Sequence, residues 1–210
     1  MGGVMGRLAG IVWISSVVLL VPAAASGQRG NAMIHGHAGY AFQEEGNLRG
    51  GLETGFGFAY PFASRFWLSI EFSHWKTEAK ATPGILYDGT VAVSPIIACL
   101  QYEFLNNRYF IPYGFAGGAF VFTKFKIGPV ISIPEVKINQ TIENGPAFYL
   151  GVGARIPFTR WVSFCSEVSY LVRTAPGKTI IRDMNLGISE KAIVVNLKTV
   201  FVKFGLKLFF

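Results

Sequence analysis

Cysteine is scarce, with two in 210 residues, and that excludes a disulfide-stapled scaffold. Charge is scarce too. Asp, Glu, Lys and Arg make up 15% of the chain, well below the roughly one quarter usual in soluble domains. Acids are the rarer sign, 12 against 19 bases, for a net charge of +7. Beyond residue 27 no uninterrupted apolar run reaches the roughly 18 residues that a spanning helix requires, so a helical membrane protein is excluded. Disorder is excluded as well, because 51% of the residues are apolar and 15% aromatic. Glycine is in excess, 25 of 210, against an average near 7%. An apolar, aromatic, glycine-rich chain with little charge points to membrane or strongly β architecture.

The amino terminus reads as a secretory signal. Arg7 precedes an apolar run from Leu8 to Leu20, broken by Pro22, and Ala23-Ala24-Ala25-Ser26-Gly27 supplies small residues for a peptidase. The run is short for a membrane anchor, which needs about 20 residues. The expected division is a cleaved signal peptide over 1–27 and one domain over 28–210.

Past that point the chain alternates with period two. Val200, Val202, Phe204, Leu206, Leu208 and Phe210 share one face, with Lys203, Gly205 and Lys207 on the other. Phe66, Leu68, Ile70 and Phe72 alternate with Trp67, Ser69, Glu71 and Ser73. Ile111, Tyr113 and Phe115 alternate with Pro112, Gly114 and Ala116. The pattern predicts eight strands, over 31–42, 50–61, 65–76, 91–105, 109–124, 146–157, 161–173 and 194–210. Each meets the roughly 9–11 residues of a tilted transmembrane strand. Short connections at 62–64, 106–108 and 158–160 alternate with longer ones at 43–49, 77–90, 125–145 and 174–193. That is the rhythm of short periplasmic turns and long external loops. The expected fold is all-β, an eight-stranded antiparallel up-and-down transmembrane barrel with both termini on the periplasmic side.

Alternation alone does not say which face is inside. A lipocalin-like barrel turns the greasy face inward, a membrane barrel outward. Here the polar face is rich in Gly, Ala and Ser rather than in charge, as a narrow lumen requires. Aromatics on the greasy face near strand ends, Tyr60, Phe66, Tyr102, Phe104, Tyr113 and Phe158, suit interfacial girdles. The membrane barrel is the reading these features favour.

On these residues the chain resembles the small eight-stranded outer-membrane barrels, the OmpX/Ail-like, OmpW-like and OmpA-transmembrane-like proteins. Phe204, Leu206, Leu208 and Phe210 match the terminal signal those proteins present to the barrel assembly machinery. Ile111-Pro112-Tyr113-Gly114-Phe115-Ala116-Gly117-Gly118 resembles their fifth strand, and Gly151-Val152-Gly153-Ala154 with Ser166-Glu167-Val168-Ser169-Tyr170 their last hairpins. The resemblance implies a bacterial outer-membrane location, contact with outer-membrane lipid and lipopolysaccharide, and no cofactor.

Strand parity turns Glu53, Glu71, Glu103, Glu167, Arg155, Arg173, Lys203 and Lys207 inward. Glu71, Glu103, Glu167, Arg155 and Lys203 fall at similar heights and are the expected interior charge network. Unpaired they would be costly in a dry lumen; paired they plug the barrel and pin its register. His35 and His37 point inward near the periplasmic end, and His-x-His suits a metal only where carboxylates converge on it, so no metal is expected. Cys99 and Cys165 are expected as free buried thiols. Three strand steps of about 4.8 Å exceed the bridging limit of about 7 Å. Phe72-Ser73-His74 resembles the His-x-Ser segment of barrel lipid A deacylases only loosely, since Lys76 stands where a Ser belongs. No nucleophilic set is otherwise visible, and the protein is expected to be no enzyme.

The loops remain. Segment 125–145 carries Ile127, Val130, Ile131, Ile133, Val136, Ile138 and Ile142 between Pro129 and Pro134. It extends the strands, offers a sticky edge to a protein ligand, or lines a lateral path for greasy solutes. Segment 174–193 is mildly basic and suits lipid phosphates. No loop has the basic-aromatic density for nucleic acid. The leading expectation is a monomeric, non-catalytic barrel with a mostly plugged lumen and a structural or surface-interaction role. A narrow channel for small or hydrophobic solutes is the alternative, and a lipid-modifying enzyme the third.

Overall fold

The computed structural model describes residues 32–44, 48–80, 88–105, 109–128, 136–183 and 187–210. The expected signal peptide lies outside the described residues. So do the 106–108 turn and much of the 125–145 segment.

Eleven strands form: β1 (Met33–Gln43), β2 (Gly51–Ala63), β3 (Phe66–Ala79), β4 (Gly89–Glu103), β5 (Ile111–Ile127), β6 (Val136–Ile142), β7 (Gly145–Pro157), β8 (Val162–Val172), β9 (Thr174–Asp183), β10 (Gly187–Asn196) and β11 (Thr199–Phe209). Eight of them close an antiparallel barrel in the order β1-β11-β8-β7-β5-β4-β3-β2. Closure joins the first strand to the last, from Met33 opposite Phe209 to Gln43 opposite Thr199. Every edge within the wall is thereby paired.

The remaining three strands form a separate sheet, β10-β9-β6. It continues three adjacent staves of the wall. β6 runs on into β7, β8 into β9 at Arg173, and β10 into β11 at Leu197–Lys198. Leu197 N–H donates to the Arg173 carbonyl (2.8 Å) across the bend. The expected basic loop 174–193 is therefore a hairpin, and the expected strand 194–210 is two strands with a break. Alternation runs on through Asn196 and Thr199, so periodicity alone does not show the bend.

The outward face is a continuous apolar coat: Leu52, Phe56, Ile70, Ile96, Phe120, Leu150, Val152, Phe204 and Leu206 are all exposed. Water would not tolerate so wide a greasy belt; lipid would. At the end of the wall near the chain termini, Phe62, Phe66, Tyr102 and Phe104 pack in series as tilted and edge-on pairs, with centroids 5.7, 4.8 and 5.5 Å apart, as in an interfacial girdle.

One stretch of parity is the reverse of the sequence expectation. Ile111 and Tyr113 point inward, Tyr113 fully buried, so Tyr113 is no girdle residue. On β5 the lumen needs bulk, and Tyr113 fills the space left by Gly153 directly across the ladder. A Cβ on Gly153 would lie 2.7 Å from the Tyr113 ring. Pro112, Gly114 and Ala116 take the outward face instead.

The candidate functional site: a layered lumen and its outer rim

The lumen is packed in layers. At the periplasmic end Met33, Ala59, Trp67 and Phe209 form a small apolar floor. At the outer end a larger apolar cluster includes Trp75, Val91, Val93, Val121, Leu171 and Phe201, with Trp75 set edge-on to Phe201 at 4.9 Å. The external sheet adds Ile142, Ala175, Ile193 and Val195 to this cluster. The upper lumen is thus apolar and bulky, where the sequence reading expected an inward face rich in Gly, Ala and Ser. Between floor and roof lies the charge network.

All five network residues of the sequence reading are inside. Arg155 Nη2 donates to Glu103 Oε1 at 2.7 Å, and its guanidinium lies 4.7 Å from the Phe209 ring centre. Lys203 Nζ donates to Glu71 Oε1 at 2.6 Å and to the Tyr149 hydroxyl at 2.8 Å. Lys203 stands beside Glu167 in the β11–β8 register yet turns across the lumen to Glu71. Glu167 is met instead by Lys207, at 3.3 Å, and by the Tyr113 hydroxyl, which donates at 2.6 Å.

Four members were not in the sequence-level set: Glu53, Lys207, Tyr113 and Tyr149. Parity already turned Glu53 and Lys207 inward; the missing knowledge was barrel height, which depends on the stagger between strands. Glu53 lies 3.7 Å from Lys203 and accepts a 2.8 Å hydrogen bond from His37 Nε2. His35 and His37 are both in the lumen, their rings 5.9 Å apart. Cys99 and Cys165 are free and buried. Ser73 and His74 face opposite sides: Ser73 Oγ donates to Glu71 inside, while His74 Nδ1 meets Ser94 Oγ outside at 2.8 Å. They form no dyad.

The outer rim has its own chemistry. In register across three strands stand Lys76 (β3), Ala92 (β4) and Lys124 (β5), and next to them Glu78, Thr90 and Lys126. All six lie on the outward face. Toward the membrane middle, Phe72, Ile96 and Phe120 occupy the same three strands. Lys76, Lys124 and Lys126 have no ion-pair partner among the described residues. Arg49 joins the row through Glu78 at 3.3 Å. A groove of about 430 Å³ opens here, lined by Tyr40, Arg49, Lys76, Glu78 and Thr90 among others.

Closed wall, apolar coat, aromatic girdle and filled lumen together define a small eight-stranded barrel of the outer-membrane type. The solved structures bear this out. OprG of Pseudomonas aeruginosa aligns with a TM-score of 0.72 at 14% identity, over 86% of this chain and 96% of that one. Neisserial surface protein A aligns with a TM-score of 0.55 at 13% identity, over 86% and 97%. A major outer-membrane protein of Thermus thermophilus gives 0.55 at 12% identity, over 87% and 100%. The sequence matches no protein-family model and no curated protein.

Proposed function

We propose that the protein is a non-catalytic, monomeric outer-membrane barrel that does not conduct and acts at the cell surface. The observation that carries this is the filled lumen. Trp75, Tyr113, Tyr149, Phe201, Lys203 and Lys207 are among the largest fully buried side chains, and they span the interior from floor to roof. The sheet β10-β9-β6 then stands beyond the membrane wall as the working surface. It exposes Ile188 and Val194 and, among the described residues, pairs β10 on one side only. A protein ligand would find an open strand edge there. The Lys76–Lys124 row supports a second contact, with lipopolysaccharide phosphates, because cations set directly beyond an apolar band meet a lipid at its headgroup. The outward Phe204, Leu206, Leu208 and Phe210 are assigned to recognition by the barrel assembly machinery.

One observation favours a lateral path for hydrophobic solutes as a second reading. The β3–β4 ladder is interrupted between Phe72–Ile96 and Trp75–Val93. There Pro95 removes a backbone donor, beside the apolar roof. Planar-bilayer recording separates the two. Silence at all voltages is expected of the plugged barrel; discrete conductance steps refute it. Voltage silence combined with uptake of an apolar fluorophore into vesicles, lost on closing the seam with Pro95→Val, would favour the lateral path.

A further inference from the structure

We propose that His35, His37 and Glu71 form a binding site for a divalent transition-metal ion inside the barrel, with Glu53 as a further carboxylate ligand. The sequence offers His-x-His without a partner; the fold supplies the converging carboxylates that such a pair needs. His35 and His37 lie on β1, and β2 and β3 bring Glu53 and Glu71 to them. His35 Nε2 is 3.6 Å from Glu71 Oε2, and His37 Nε2 is 3.5 Å from Glu71 Oε1. One ligand atom from each of the three residues falls within 4.8 Å of the others. With zinc–ligand bonds of about 2.0–2.1 Å, a tetrahedral site has edges of about 3.4 Å; each histidine lies close to that distance from one of the two Glu71 oxygens.

The site is built for imidazoles. The residues across the β1–β2 ladder from His35 and His37 are Gly57 and Gly55. A Cβ there would lie 2.5 Å from His35 Cε1 and 2.4 Å from His37 Nε2. Any other residue at either position would fill the space that the ring occupies.

The site is also short of positive charge. The described residues put four carboxylates into the mid-lumen, Glu53, Glu71, Glu103 and Glu167, against Arg155, Lys203 and Lys207. Glu103 and Glu167 each have a cation. Glu53 and Glu71 share Lys203, and their other ion-pair contacts are with the two histidines. Glu53 Oε2 and His35 Nδ1 are both buried with no hydrogen-bond partner. The Glu53 side chain is 0% exposed and that of His35 8%. A buried carboxylate oxygen without a donor is costly, and a bound cation supplies what it lacks. Lys203 holds Glu71 through Oε1, the oxygen nearer His37, so Glu71 enters the site through Oε2, which faces His35. A neutral imidazole and a carboxylate are the ligands zinc, cobalt and nickel accept.

The test uses the untagged mature chain refolded in detergent, with Co2+ or Zn2+ present either during refolding or only afterwards, since the apolar floor lies between this site and the periplasmic mouth. The expected result is one Co2+ per barrel with the intense visible bands of a tetrahedral site, displaced by Zn2+. His35→Gln is expected to abolish the bands and weaken binding by more than the roughly 10–100-fold that outer-shell changes cost. His35 meets the network through its 3.6 Å contact with Glu71 Oε2, and the glutamine amide can still donate to that oxygen, so the variant is expected to keep its heat-dependent gel shift. His74→Gln, on the outer wall, is expected to bind as the wild type does. No stoichiometric Co2+ in wild-type barrel under either protocol overturns the proposal. So does His35→Gln with unchanged spectra. Binding lost in His74→Gln instead would place the ion outside the lumen and overturn it equally.

Discussion

Charged side chains survive in this lumen largely through paired contacts. The Arg155–Glu103 pair shows it most simply: both side chains are about nine-tenths buried, at 11% and 7% exposure, and 2.7 Å apart. Removing one member of a buried pair strands the other, at about 3–5 kcal/mol. Arg155→Ala is therefore expected to lower the unfolding free energy of the barrel folded in phospholipid vesicles by that amount, read as a lowered urea midpoint at unchanged slope. The double variant Glu103→Gln/Arg155→Met is expected to regain most of it, because no stranded charge remains. An Arg155→Ala midpoint equal to wild type would mean that water already solvates Glu103, and the plug would not be dry. At this scale the sequence was legible in kind but not in pairing. Parity placed Lys203 inside. Its turn away from neighbouring Glu167 toward Glu71 depends on which wall lies opposite, and no local pattern encodes that.

At the scale of elements, alternation and turn spacing disclosed all eight barrel strands, because a bilayer imposes the same length and period on each. Two features escaped them. β5 carries its bulk inward at Tyr113 because the facing strand offers Gly153, and a greasy tyrosine suits either side of a wall whose lumen is itself partly aromatic. The bend at Arg173 escaped because the hairpin keeps its period through it. There Arg173 Nη1 donates to the Val121 carbonyl at 3.2 Å and Nη2 to the Glu143 carbonyl, tying β5 and the β6–β7 junction to the base of the external sheet. The β9–β10 hairpin also lends Ala175, Ile193 and Val195 to the apolar roof. Replacing residues 174–196 with a short Gly-Ser turn should leave the wall able to close, since every barrel ladder remains, while stripping Ala175, Ile193 and Val195 from the roof. The expected outcome is a retained heat-dependent gel shift together with small conductance steps absent from the wild type. A shortened barrel that stays silent would show that the side chains of the barrel strands seal the lumen without the hairpin, which would then serve only the surface.

At the scale of the whole molecule, the barrel must sit between two unlike leaflets, and its outer wall is unlike at its two ends. Near the termini the wall ends in the packed aromatics Phe62, Phe66, Tyr102 and Phe104, which suit a phospholipid interface. At the far end it carries Arg49, Lys76, Lys124 and Lys126 just past Phe72, Ile96 and Phe120. Glu78 is the acid among them, and it is paired to Arg49. Lipopolysaccharide carries its phosphates where the acyl chains end, so one molecule lying on β3–β5 would meet both the apolar strip and the lysines. Exposed ion pairs are each worth only about 0.2–1 kcal/mol, but two or three acting on one polyanion at a low-dielectric boundary add up. Lys76→Glu/Lys124→Glu is therefore expected to lower the unfolding temperature in vesicles containing lipopolysaccharide. In zwitterionic phosphatidylcholine vesicles wild type and variant should unfold together. The wild-type gain from lipopolysaccharide should shrink as salt rises, because the contact is screened over about 8 Å at physiological ionic strength. Equal loss in both lipids would assign the lysines to the barrel's own stability rather than to the leaflet. No loss in either would leave the row without a lipid partner, and the open edge of β10 would then be the surface to pursue.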